Sequence, residues 1–251
     1  MLRALLLIVH LAWGLLLAAW LALGARAARE HLARRWHRRL LGIFGLRLRV
    51  EGMPLPEPHV TVANHVSWLD IPVLGAIEPT RFVGKSEIRD WPLAGWLAVA
   101  AGTFFLRRGK GGAAPLLDRL VPHLRARGSV VIFPEGTTTD GTEVQPFHAR
   151  LFGAAILARC PVQPVTIQYA LSADGDNIAP FIGDDSLAAH VLRLLRHPGL
   201  EVRVLYGPPL RDAASRDELA REAESFVRAA LQPPAPRRLP GPAAIPDWQR
   251  A

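Results

Sequence analysis

Two short stretches hold most of the side chains in this sequence that can move a proton or grip a hydroxyl. The first is Asn64-His65-Val66-Ser67-Trp68-Leu69-Asp70. Histidine changes charge near neutral pH, which suits it to general-base work. A carboxylate on its second ring nitrogen would fix the tautomer and stabilise the imidazolium formed on taking a proton. The spacing restricts how the two can meet. Positions five apart lie about 140° apart around an ideal helix, so His65 must sit in the turn before a helix and Asp70 must reach back to it. By itself, His-x4-Asp is usually no more than a loop histidine followed by a helix-start aspartate. The second stretch, Phe133-Pro134-Glu135-Gly136-Thr137-Thr138-Thr139-Asp140-Gly141, follows the apolar run Val130 to Phe133. Loops at the carboxyl ends of parallel strands are where ligands bind. There Glu135 would hold a polyol hydroxyl, Gly136 would let backbone approach a ligand closely, and Thr137 would add a hydroxyl. The ordinary alternative is a Gly- and Thr-rich turn that ends a strand.

Other nucleophiles are poorly placed. Ser67 lies near a histidine and an aspartate, but only two residues from His65 and outside a Gly-x-Ser-x-Gly elbow. Cys160 is the single cysteine, which excludes an internal disulfide and any multi-cysteine metal site. Its apolar surroundings read as those of a buried structural thiol.

The elements that must position these residues alternate. Short strands are expected at 46–50, 59–63, 80–84, 103–107, 129–133, 162–169 and 201–206. Helices are expected near 70–78, 92–101, 113–127, 148–159, 185–196 and 215–231. Alternation of this kind predicts an α/β domain with a mainly parallel sheet flanked by helices. It spans residues 45–231, between a membrane-embedded helical motif at 1–44 and a proline-rich disordered tail at 232–251.

Residues 4–24 carry no charge; as a helix they would extend about 31 Å, close to a bilayer core of about 30 Å. A signal peptide would have a shorter apolar core and a less basic sequel. From 29 to 44, Leu32, Trp36, Leu40, Ile43 and Phe44 recur at helical spacing among arginines, the pattern of an interfacial helix with its apolar stripe in lipid, the alternative being an ordinary helix that packs on the domain. The formal charge is +8, and residues 26–49 hold eight arginines against Glu30, which is 8 − 1 = +7 of it. A basic collar beside an apolar segment fits anionic lipid headgroups, not nucleic acid. It also places the following domain on the cytoplasmic side of the inner membrane.

Taken together, in this order and about 70 residues apart, the two stretches resemble blocks I and III of the glycerolipid acyltransferase family, whose best-known members acylate lysophosphatidate. Gly102-Thr103-Phe104-Phe105-Leu106-Arg107-Arg108 resembles block II, and Val162-Gln163-Pro164-Val165 resembles the proline-centred block IV. The resemblance implies an α/β fold with a membrane-dipping amino-terminal motif, and an acyl transfer from acyl-CoA or acyl carrier protein to a lysophospholipid hydroxyl. It makes His65 the base and Asp70 its partner, and it assigns Lys85 and Arg108 to the acceptor's phosphate. No metal or organic cofactor is implied, because alcoholysis of a thioester needs only a base and electrostatic stabilisation. Two positions depart from the pattern: Thr138 stands where the family often has arginine, and Arg107 where it usually has an acid. These departures open a second acceptor, lyso-ornithine lipid, beside the expected lysophosphatidate. A non-catalytic lipid-binding protein is the reading from another class, and the presence of both His65 and Asp70 speaks against it.

Overall fold

A computed structural model describes residues 1–22, 29–107, 112–171, 175–211 and 213–231. Arg108 and the proline-rich segment 232–251 lie outside the described residues. Seven strands form one sheet: β1 (Leu46–Glu51), β2 (Val60–Ala63), β3 (Arg81–Lys85), β4 (Phe104–Leu106), β5 (Val130–Ile132), β6 (Val162–Tyr169) and β7 (Leu200–Tyr206), in the order β1-β7-β6-β2-β5-β3-β4. All seven expected strands are present. β2 to β6 run parallel, β7 runs antiparallel to β6, and β1 pairs parallel with β7. The carboxyl ends of β2, β3, β4 and β5 therefore share one edge of the sheet, and the sequence puts its candidate residues there.

The centre of the sheet is dry. All four residues of β2 and all three of β5 are buried, as expected for strands covered on both faces. Helices α2 (Arg29–Phe44), α3 (Asp70–Ile77) and α7 (Leu187–Arg196) cover one face through Phe44, Leu69, Leu74 and Leu194. Helices α5 (Ala113–Arg125), α6 (Gly153–Ala158) and α8 (Arg216–Leu231) cover the other through Leu120, Leu124, Phe152 and Val227. The helix expected across 148–159 divides into a 3₁₀ turn (Ala149–Phe152) and α6. A second 3₁₀ turn (Ser86–Asp90) links β3 to α4 (Ala94–Ala100).

The amino-terminal helices differ in part from expectation. Helix α1 (Leu2–Ala22) is long and apolar enough to cross a membrane. Leu7, His10, Gly14 and Leu21 are buried, a repeat of three or four residues that turns one narrow stripe towards the protein. Leu5, Ile8, Val9, Leu16 and Trp20 face outward. The helix is held to the domain at two places. Near its start, the Arg3 guanidinium donates to the carbonyls of His197 (2.5 Å) and Pro198 (2.8 Å). At its middle, Gly14 leaves just enough room for Trp36 and Leu97. The apolar stripe of α2, expected in lipid, packs against protein instead: Leu40, Leu41 and Phe44 join the core, and the Trp36 ring stacks on His10 at 4.6 Å. Its Arg38 donates to the Ala76 carbonyl (2.7 Å), satisfying an orphan group at the end of α3. The reason is geometric: α3 is short and apolar on all sides, so it needs a second helix to cover it.

Candidate active site

The end of β2 is shaped by Asn64. Its side-chain amide donates to the Ile167 carbonyl (2.9 Å) and accepts from the Ile167 amide (2.8 Å). A side chain thus replaces one backbone rung of the β2–β6 ladder, and the chain is free to turn at His65. Asp70, the first residue of α3, closes that turn. Its Oδ2 accepts from the Val66 amide (2.7 Å), the Ser67 amide (3.0 Å) and His65 Nδ1 (2.7 Å). With Nδ1 committed to the carboxylate, Nε2 is the nitrogen left to take a proton. Asp70 is fully buried, while the His65 side chain keeps 19% of its surface exposed. One ring edge therefore remains open to a reactant.

Neighbours immobilise the pair. The His65 ring lies flat on Phe133, with centroids 4.1 Å apart and planes 14° apart. The Tyr169 hydroxyl, at the end of β6, donates to Asp70 Oδ1 at 2.7 Å. Burial, and then the Asp70 charge, push this phenol well above its usual range, so it remains a protonated donor. On the far side, the Trp68 indole donates to His190 Nδ1 (2.9 Å), whose Nε2 lies 3.2 Å from the Ile178 carbonyl. Burial lowers the proton affinity of His190 and keeps it in the neutral form that can accept from the indole.

The second stretch meets the first through backbone. Glu135 is buried; its Oε1 accepts from the His65 amide (2.6 Å) and its Oε2 from the Gln145 amide (2.8 Å). Burial raises its proton affinity, and those two amides partly offset the rise. Each Glu135 oxygen thus accepts a backbone amide, so the side chain braces the two stretches against each other. Thr139 adds a second tie, its amide donating to the His65 carbonyl at 2.8 Å. Gly136, at φ +69°, and Thr137 are exposed in the same turn, and the His148 ring lies 3.5 Å from where a Gly136 Cβ would be.

The Thr138 hydroxyl is committed within the protein, donating to the Phe181 carbonyl at 2.5 Å. Phe181 in turn gives its amide to the Val66 carbonyl (3.0 Å), so one loop residue clamps both stretches. Lys85 ends β3, two strand spacings from β2 in the sheet order, or about 10 Å. It is half-buried, and Arg107 follows β4 one strand further out. The structure thus brings His65, Asp70 and Glu135 into contact and leaves Lys85 further along the same edge.

The rival nucleophiles are not on His65. The Ser67 hydroxyl is buried and has no hydrogen-bond partner among the described residues. Burial pushes the Cys160 thiol up to about 11, far from the thiolate that a nucleophile requires. Among the described residues there is no cluster of three or more potential metal ligands. Sequence reasoning missed Tyr169 and His190, which nothing local marks because each reaches the site from a different element; Phe133 opens the second stretch, but its stacking on His65 was not foreseen.

Residues 47–168 match the family model described as Acyltransferase. The chain is 45% identical over 239 residues to the lyso-ornithine lipid O-acyltransferase of Pseudomonas aeruginosa, covering 92% of this chain and 93% of that protein. It is 34% identical over 186 residues to the 1-acyl-sn-glycerol-3-phosphate acyltransferase of Neisseria meningitidis, covering 72% and 73%. The crystal structure of the 1-acyl-sn-glycerophosphate acyltransferase PlsC from Thermotoga maritima superimposes with a TM-score of 0.70 at 22% identity, over 91% of each chain.

Proposed function

Given that this chain belongs to the acyltransferase family and is an O-acyltransferase of lysolipids, we propose that it transfers a fatty acyl group to the hydroxyl of lyso-ornithine lipid, with His65 as general base. The observation that carries this acceptor is Thr138. The position that offers a phosphate-binding guanidinium in much of the family here holds a hydroxyl tied to Phe181. A phosphate monoester calls for several cationic donors, whereas the ornithine headgroup brings its own ammonium and carboxylate. The 45% identity to a lyso-ornithine lipid O-acyltransferase supports the same reading.

The acceptor hydroxyl lies against His65 Nε2. As its oxygen attacks the thioester carbonyl, Nε2 takes the proton, and Asp70 on Nδ1 stabilises the imidazolium. The C–S bond then breaks, and His65 returns the proton to the departing thiolate. The donor is a thioester, acyl-CoA or acyl carrier protein. The enzyme works at the cytoplasmic surface of the inner membrane, an assignment that rests on the apolar α1 and the arginines that follow it. Both substrates bring acyl chains to that surface.

Lysophosphatidate is the second acceptor, favoured by Lys85 at the end of β3. Competition between the two lysolipids in one vesicle population, read by lipid mass spectrometry, separates them. The expected product is the diacylated ornithine lipid, at least about tenfold ahead in kcat/KM, or about 1.4 kcal/mol. A preference for lysophosphatidate would reverse the assignment.

A further inference from the structure

Helix α4 and the turn before it present a second apolar surface beside α1. Residues 89–93 are exposed without a break, and they include Trp91 and Leu93. Trp96, on α4 itself, is 65% exposed, and Val99 one turn later is also exposed. These are large side chains to leave in water. The backbone holds them out. Leu93 has φ +62° and ψ −57°, and the Ala94 amide reaches the Pro92 carbonyl at 2.6 Å. That is a γ-turn of the rare kind that L residues adopt under strain. Gly95 locks it, because a Cβ there would fall 2.3 Å from the Arg89 carbonyl.

What covers this surface can be read from its neighbours. Leu97 packs on Gly14 in the protein-facing stripe of α1 and so sets α4 beside that helix, while Trp96 and Val99 stay exposed next to a helix long enough to cross a bilayer. Between the two helices runs a groove of about 810 Å³, lined by leucines and alanines of α1 together with Trp96 and Val99, and also by Arg29, Arg89 and Asp90. It opens at Arg89 into a cleft of about 900 Å³, where five arginines, Arg89, Arg107 and Arg119 among them, face Glu87 and Asp90. Tryptophan beside arginine at the end of an apolar surface is the arrangement found at the headgroup level of a membrane.

We propose that the turn at 89–93 and helix α4 insert into the bilayer surface alongside α1, with Trp91 and Trp96 as anchors and Arg89 and Arg107 on anionic lipid headgroups. The enzyme then rests on two points of contact, which fixes the tilt of the domain over the membrane. The inference rests on the membrane association proposed above, and its test separates the two.

Single cysteines replacing Val9, Trp96 or Arg221 in the full-length Cys160→Ala protein carry an environment-sensitive fluorophore. Arg221 is exposed on α8 and serves as the water reference. The labelled proteins are reconstituted into vesicles of phosphatidylcholine and phosphatidylglycerol. They are then quenched either by iodide or by a nitroxide on the lipid chain. Labels at 9 and 96 should be shielded from iodide and quenched by the nitroxide, and the label at 221 should show the reverse. If 96 behaves like 221 while 9 is in lipid, the inference is overturned and the membrane reading stands. If both 9 and 96 are in water, the membrane reading falls with it. Shielding of 96 from both quenchers would mean that protein, such as a second copy of the chain, covers this surface, and would also overturn the proposal.

Discussion

Removing the base tests the chemistry most directly. His65→Ala should lower transfer by about 10²- to 10⁴-fold with the fold intact. A folded variant that keeps more than about a tenth of the rate would remove His65 from this role. Tyr169→Phe is the more discriminating change. It deletes one donor to a buried carboxylate, an interaction worth about 1.5–3 kcal/mol, and it leaves the ring in place. Because Tyr169 touches Asp70 and the proposed mechanism puts only His65 against the acceptor, the loss should fall on kcat with KM little changed. An equal loss in KM, or a thermal midpoint too low for the assay, would make Tyr169 merely structural. These residues differ in how far a linear sequence reveals them. His65 and Asp70 stand in one short stretch and follow from spacing and family resemblance. Tyr169 is 99 positions from Asp70, and Glu135 works through backbone amides, which have no sequence signature at all. The glutamate itself was visible in the sequence, but the backbone amides it accepts from were not.

Among the elements, the join between β2 and α3 carries a pH dependence. His59, just before β2, lies 3.3 Å from the carboxylate of Glu78 at the end of α3, both buried. Thr61 also donates to Glu78 (3.3 Å), and the Glu57 carbonyl and Ser129 hydroxyl lie 2.8 and 3.3 Å from His59 Nδ1. Burial works to lower the proton affinity of His59, but contact with Glu78 and the nearby charge of Glu57 outweigh it and raise the value above 6.5. A histidine raised in the folded state stabilises fully below 6.5, and that stability is lost as pH climbs through the folded value. The wild-type protein should therefore be more stable than His59→Gln at pH 6, and the gap should narrow as pH rises. Thermal unfolding in detergent measures this; a gap that widens with pH would contradict the pairing. The strands themselves were legible, because short Val- and Ile-rich runs between helices leave little choice of element. Helix α2 shows the limit: its periodic stripe predicts an apolar face, but only the tertiary arrangement says whether lipid or α3 covers it.

For the molecule as a whole, the amino-terminal helices are unequal parts. Deleting residues 1–44 takes Leu40, Leu41 and Phe44 out of the core and uncaps α3, so the product should aggregate instead of yielding a soluble domain. Deleting residues 2–22 removes only α1 and its contacts at Arg3, His10 and Gly14. That shorter deletion should leave a folded protein that alkaline carbonate strips from membranes, as it should not strip the full-length chain. A soluble, active product of the longer deletion would show that α2 is a detachable anchor after all.

The far edge of the sheet also sets an order of events during synthesis. β1 finds its partner in β7, and Arg3 finds the Pro198 carbonyl across 195 positions. At about 5–20 residues per second, the ribosome takes roughly 10–40 s to produce that partner. Through this interval α1 can pack on Trp36 and Leu97 but lacks the carbonyls that hold Arg3, while β1 is an unpaired strand. The sheet thus closes last at the edge where the chain began, once nearly the whole described domain has been made.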